Sequence, residues 1–260
     1  MAGPIVAVCQ TVVDDGDIDA NLERVSEHVA GLPRAVDVAV FPEYSLSGFD
    51  RDRIDACAIP RDGRVIERVR AIADRVGCTL VVGFVERAGE RLYNATVYAQ
   101  PEECVIYRKR HLWGNERSLL SPGTERVIVE TPLGPTGLLT CYDLNFVEES
   151  AALARTDVRA LFVPGAWPAA HVENWRLLLR ARALDGVRWV VGVGRTGRNA
   201  EGRAYAGNSS IIYPNGRIMD SLDRAERTRL VTLDPAVVAH HRAKVFPGGE
   251  SHDNKRKTIF

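Results

Sequence analysis

The chain has 260 residues, enough for one large domain with a substantial core, and its 45% hydrophobic and 26% charged residues are those of an ordinary soluble globular protein. Lys plus Arg equals Asp plus Glu at 34 each, so no net field draws it to nucleic acid or to an anionic membrane. Its cysteines, Cys9, Cys57, Cys78, Cys104 and Cys141, are odd in number, scattered and without a C-x-x-C pair, which argues for reduced thiols in a cytoplasm over a disulfide framework. The opening "MAGPIVAVCQTVVDD" lacks a basic n-region, no apolar run approaches the ~18 residues of a membrane span, and no metal-ligand spacing appears.

Short apolar runs alternate with amphipathic stretches. "PIVAVCQ" reads as a strand, and "DIDANLERVSEHVAGL" as a helix with Ile18, Leu22, Val25, Val29 and Leu32 on one face. "VDVAVFPE" is a second strand and "RVIERVRAIADRVG" a second helix, stopped by Gly77. "CTLVVGFVER", "LYNATVYAQ" and "CVIYRKRHL" follow as strands. The second half repeats the alternation: strands "RVIVETPLG" and "TGLLTCYDL", helix "FVEESAALART", strand "ALFVPGAW", helix "VENWRLLLRARALDG" closed by Gly186, and strand "RWVVGVGRT". "GNSSIIYPNGRIMDS" is a hairpin turning at Asn215-Gly216, and "RLVTLD" is a last strand in a charged tail. No linker or repeat interrupts this, so residues 1–260 are expected to form one α/β domain with sheets buried by helices.

Three polar residues stand at the ends of apolar strands, where an open α/β sheet usually places its site. Glu43 follows "VDVAVFP", Lys109 ends "VIYRK" and Cys141 follows "GLLT". Each alone has an ordinary reading: a solvated carboxylate, a surface charge, a small buried hydrophobe. Together they form a chemically complete set. A thiol attacks as thiolate and needs a base or a cation beside it. Glu43 supplies the base, and Lys109 a cation for the thiolate and for a later oxyanion.

"FPEYSLSGF" (residues 41–49), "YRKRHL" (107–112) and "GLLTCYDLNFVEE" (137–149) resemble, in order and spacing, the three signatures of the nitrilase superfamily, the carbon–nitrogen hydrolases. "VPGAWP", "RARALDG" and "GNSSIIYPNG" look like its downstream blocks, so the resemblance covers nearly the whole chain. It implies a four-layer αββα sandwich, protomers that pair into a homodimer or higher homo-oligomer, and no cofactor or metal. It implies Glu43 as general base and acid, Lys109 as oxyanion group, Cys141 as nucleophile, the Tyr142 N–H as second oxyanion donor, and Glu116 as a further orienting carboxylate. The implied substrate is a small non-peptide primary amide. Carbamoyl compounds and ω-amides of dicarboxylic acids are the alternatives; true nitriles and a non-catalytic role rank lower.

The departures bear on specificity. Asn145 stands where the family often has Arg, Val147 where it has Pro, Asp185-Gly186 where Glu-Asn is common, and Asn208 where many members carry His. Trp113, Trp167 and Asn208 are expected to shape the substrate pocket, with Arg195 and His171 as candidates to meet a substrate carboxylate. Three competing signals are weak. "GVGRTG" (192–197) fits a dinucleotide fingerprint but lacks a following helix. His111 reads as a hydrogen-bonded structural histidine, and Ser209-Ser210 has no serine–lysine machinery beside it.

Overall fold

The computed structural model describes residues 3–199 and 201–246. Its first half runs β1 (Ile5–Gln10), α1 (Ile18–Ala30), β2 (Val36–Val40), α2 (Ile54–Cys57), β3 (Ile59–Pro60), α3 (Arg64–Val76), β4 (Thr79–Ala88), β5 (Arg91–Ala99) and β6 (Cys104–Arg108). The second half runs α4 (Glu116–Leu119), β7 (Ile128–Thr131), β8 (Gly134–Leu138), α5 (Val147–Ala154), β9 (Ala160–Gly165), α6 (Val172–Gly186) and β10 (Trp189–Gly194). The hairpin β11 (Ser210–Ile212) and β12 (Ile218–Ser221), then β13 (Arg227–Thr232) and α7 (Ala236–Val245), complete the described chain.

The strands form two sheets, ordered β13-β1-β2-β4-β5-β6, with β3 beside β4, and β12-β11-β10-β9-β8-β7. Both have a parallel centre and antiparallel edges: β1, β2 and β4 run parallel in one, β8, β9 and β10 in the other. Alternation along β1 shows why these strands are apolar on both faces. Ala7 and Cys9 pack under Leu22, Val25 and Val29 of α1 and Val69 and Ile72 of α3. Val6 and Val8 face Phe162, Val191 and Val193 of the other sheet. Beyond that sheet, Leu161, Val163 and Val190 meet Trp175, Leu179 and Ala183 of α6 and Leu153 of α5. The layers are therefore helix, sheet, sheet, helix, as the resemblance implied. A strand buried on both faces must be a continuous hydrophobic run, which is what the sequence shows.

Helix boundaries follow local chemistry. Asp17 caps α1 by accepting the Ala20 N–H at 3.0 Å. Gly77 closes α3 at φ 73°, the left-handed position glycine takes without strain. Gly186 behaves differently from the expected stop. It is the last residue of α6, and Val187 takes the left-handed φ of 45°. A Cβ at position 186 would lie 2.2 Å from the Arg188 guanidinium, so space for a buried arginine, not backbone freedom, calls for glycine there. Strands end earlier than expected at two other places: β6 stops at Arg108, before Lys109, and β8 stops at Leu138, before Cys141. Helix α7 had no counterpart in the sequence reading, because Val238 is its one fully buried residue and its apolar pattern is weak.

Gly83 decides how closely the segment after β2 can cross β4. A Cβ there would sit 2.5 Å from the Tyr44 nitrogen and 2.8 Å from the Glu43 Cα. Gly83→Ala is expected to force that segment outward, costing about 1–3 kcal/mol as overpacking does. Chemical denaturation should show a lowered midpoint; an unchanged midpoint would mean the segment is not held by this approach.

Candidate active site

Strands β2, β8, β9 and β10 are all parallel members of their sheets, and β6 runs in the same direction as β4. Their C-terminal ends gather at one edge of the sandwich. Glu43 follows β2, Lys109 follows β6, Cys141 follows β8 and Ala166 follows β9, so residues far apart in sequence converge there.

Cys141 opens a single 3-10 turn, Cys141–Asn145, with φ 49°. A non-glycine residue held in that region costs on the order of 1–2 kcal/mol, and such strain clusters at functional sites. The turn is locked from both sides. The Asp143 carboxylate accepts the Thr140 N–H at 2.9 Å in a reciprocal capping box with Thr140. It also accepts the Tyr107 hydroxyl at 2.7 Å and the His111 N–H at 2.9 Å, tying the cysteine turn to the lysine segment. Burial pushes Asp143 up to about 6, against the pull of Lys109 and those three donors. Tyr44, next to Glu43, also has a positive φ, 61°.

Lys109 is buried between two carboxylates. Its Nζ donates to Glu43 Oε1 at 2.8 Å and lies 3.0 and 2.9 Å from the two oxygens of Glu116. Asn94 on β5 donates to both carboxylates at 2.7 Å. Tyr44 donates its hydroxyl to Glu116 Oε1, the Trp113 N–H donates to Glu116 Oε2 at 2.7 Å, and the Ala166 N–H donates to Glu43 Oε2 at 2.7 Å. Every carboxylate oxygen thus has a donor, as buried charges require.

The electrostatics favour a neutral thiol. Burial alone would depress the Lys109 ammonium, but Glu116 and Glu43 outweigh it and hold its pKa well above the ordinary lysine value. For Glu116 burial opposes ionisation, and Lys109 with the Trp113 and Tyr44 donors wins, so its pKa is lowered. At Cys141 the balance runs the other way. Burial first, then the Glu43 charge, raise the thiol well above its ordinary pKa; Lys109 pulls down but does not prevail. Cys141 and Glu43 line the same cleft. Two carboxylates against one ammonium leave the buried set with an excess negative charge, which no second anion joins cheaply. The arrangement can therefore remove a proton from the thiol as it attacks, with Glu43 as acceptor.

These groups floor a cleft of about 310 Å³. Phe49, Trp113, Trp167 and Tyr205 wall it; Tyr142 and Asn145 also line it, and His171, Asn174 and Arg203 contribute polar groups. Of the pocket residues expected from sequence, Trp113 and Trp167 are in place and Asn208 is not. The Asn208 side chain accepts from Arg176 and donates to the Ala206 carbonyl, away from the cleft lining. Arg195 is likewise withdrawn, fully buried against Asp15 at 2.8 Å. His171 does line the cleft. His111 stacks on Phe146 at 3.6 Å and lies 3.0 Å from Glu149, a structural arrangement. Ser209 bonds Gln10 and the Gly194 N–H. Val147 is exposed on α5, so losing the family proline there leaves the site untouched.

Asn94, Tyr44 and Arg203 were missed. Asn94 had a signal, a lone amide inside the apolar run "LYNATVYA"; Tyr44 lay inside a quoted motif; Arg203, in a polar loop, had none. Among the described residues, no group of three or more His, Cys, Asp or Glu is arranged to hold a metal.

The fold recurs in known proteins. Residues 5–243 match the carbon-nitrogen hydrolase family. An (R)-stereoselective amidase of a Pseudomonas species is 32% identical over 88% of this chain and 84% of its own. A 2-oxoglutaramate amidase of Bacillus subtilis is 30% identical over 98% of both chains. A solved CN-hydrolase superfamily protein of Xanthomonas campestris, with an arsenic adduct in its active site, superposes with a TM-score of 0.88 at 28% identity, over 95% of this chain and 96% of its own. With the family match spanning nearly the whole chain, and both sheets ending at one buried Glu–Lys–Cys cluster, the chain belongs to the carbon–nitrogen hydrolases of the nitrilase superfamily.

Proposed function

We propose that the chain is a thiol amidohydrolase that converts a small primary amide to its carboxylic acid and ammonia. The single observation that carries this is Cys141, at a positive φ, sharing the floor of one cleft with a Glu43 carboxylate that Lys109 holds at 2.8 Å. Amidase-named relatives of similar length support the reaction class.

In this reading Cys141 Sγ attacks the amide carbon while Glu43 takes the thiol proton. The oxyanion forms against the Lys109 ammonium and the Tyr142 N–H. An ammonium has three protons. One serves Glu43, one can bridge the two Glu116 oxygens, and the third remains for the oxyanion. Glu43 passes its proton to the departing nitrogen, the C–N bond breaks and ammonia leaves a thioester. Water then attacks the thioester, Glu43 takes its proton, the C–S bond breaks and the acid departs as the thiol is restored. Glu116, through Lys109, Asn94 and Tyr44, holds the ammonium in place across both halves.

A second reading has a specific observation behind it. Arg203 lines the cleft and reaches Glu201 at only 4.0 Å, with its guanidinium carbon 5.9 Å from the Trp113 ring centroid. With His171 it offers a place for a substrate carboxylate, which favours ω-amides of dicarboxylic acids. A carbamoyl substrate would use the same floor and release carbon dioxide as well as ammonia.

Free cysteines throughout the described residues support a reducing, cytoplasmic setting, and no described helix is long and apolar enough to cross a membrane. Leu177 and Leu184 on α6 are 64% and 58% exposed, which supports a homo-oligomer that covers that helix.

Cys141→Ala should fold normally and release no ammonia from any amide. Glu43→Gln keeps the shape but cannot carry a proton, so turnover should fall ~10²–10⁴-fold. Steady-state ammonia assays check both; retained activity in Cys141→Ala, or a loss of less than about tenfold in Glu43→Gln, would contradict the assignment.

Substrate class is read by assaying, side by side, a neutral short amide, its nitrile, a carbamoyl amine and an ω-carboxylate amide of equal length. The amides should release ammonia faster than the nitrile, whose charge develops on nitrogen. If the carboxylate amide is preferred, Arg203→Ala should raise its KM and leave that of the neutral amide unchanged; turnover confined to the nitrile would overturn the amidase reading.

A further inference from the structure

Arg195 follows β10 inside "GVGRTG", the stretch whose spacing suggested a dinucleotide site and whose surroundings do not supply one. Its guanidinium is fully buried and makes a forked pair with Asp15, Nη1 to Oδ1 at 2.8 Å and Nη2 to Oδ2 at 3.0 Å. Nη2 also donates to the Val13 carbonyl at 2.8 Å. The two residues lie 180 positions apart, one after β1 and one after β10, so the pair joins the ends of the two sheets.

Each half of the pair also holds a wall of the cleft. Asp15 Oδ1 accepts the Phe49 N–H at 2.9 Å. Gly48 presses on the same residue: at φ 63°, a Cβ on it would sit 2.4 Å from the Asp15 Cα. On the other side the Arg195 guanidinium stacks 4.2 Å from the centroid of the Tyr205 ring. Phe49 and Tyr205 both line the cleft that contains Cys141. The main chain of Arg195 does separate work. Its N–H donates at 2.7 Å to the Gly165 carbonyl, and the same peptide unit gives the Ala166 N–H to Glu43. Backbone at this position thus supports the carboxylate, and side chain supports the walls.

We propose that the Arg195–Asp15 pair is a positioning device: it fixes the Phe49 and Tyr205 walls relative to each other and so sets which substrates, by width, reach Cys141. Desolvating two charges offsets much of their attraction, so a buried pair is poorly explained by stability alone. A hydrophobic pair would fill the space as well, but it would offer no acceptor to the Phe49 N–H and no planar cation to the Tyr205 ring. The inference rests on reading the cleft as the substrate site. Its test uses alkylation of Cys141, which needs no amide turnover, so failure of the amidase reading leaves it intact.

The experiment measures the rate of Cys141 alkylation by iodoacetamide and by the bulkier N-phenyliodoacetamide, followed by mass spectrometry of the Cys141 peptide. It compares wild-type protein with Asp15→Asn and with the double variant Asp15→Asn/Arg195→Met, which removes both charges and leaves no unpaired ion. Thermal melting of each variant reports folding separately. The preference for the small reagent over the bulky one should fall about tenfold in both variants, the scale of one lost contact network. Folded variants that keep the wild-type preference within about twofold would overturn the proposal and leave the pair a structural tie.

Discussion

Everything at this site depends on one buried lysine being shared by two buried carboxylates. Lys109 is 1% exposed, and its ammonium is tolerable there only because Glu43 and Glu116 surround it. The consequence reaches the thiol. With an excess carboxylate already in the cluster, an ionised Cys141 would add a second unbalanced charge, so burial and Glu43 keep the resting thiol protonated, and in the proposed mechanism its proton passes to Glu43 only as the new bond forms. Lys109 is thereby spared neutralising a resting thiolate and is available where charge develops later.

The fold exists, in functional terms, to bring these groups to one edge. Glu43 and Lys109 come from one sheet, Cys141 and the Ala166 N–H from the other. The layer of Val6, Val8, Val38, Phe162 and Val191 between the sheets sets their separation. Asp143 then welds the cysteine turn to the lysine segment, and Asn94 bridges the two carboxylates from β5. A strained φ at Cys141 persists because its neighbours on both sides are fixed.

Much of this was legible before any coordinates. Strands buried on both faces write themselves as apolar runs, Glu43, Lys109 and Cys141 sit in motifs whose order is recognisable, and Glu116 follows the lysine motif closely. What was not legible depended on distant partners. Arg195 looked available for a substrate because nothing local reveals Asp15, 180 residues away, as its counter-ion. Asn208 looked like a pocket residue because it stands where many family members carry His, yet Arg176 on α6 claims its side chain. Gly186 looked like a helix stop, whereas the reason for it is the buried Arg188 side chain two residues on. Helix α7 carries too little apolar pattern to announce itself.

The mechanism requires that Cys141 rest as a thiol beside Glu43. It is tested most directly by the thiolate absorbance near 240 nm, taken as the difference between wild-type protein and Cys141→Ala while pH is raised from about 5 to about 9, a range spanning the usual thiol titration. No thiolate signal from Cys141 is expected across that range, because burial and the Glu43 charge outweigh Lys109. A thiolate already present at neutral pH would contradict it and would make Lys109, not Glu43, the group that activates the cysteine.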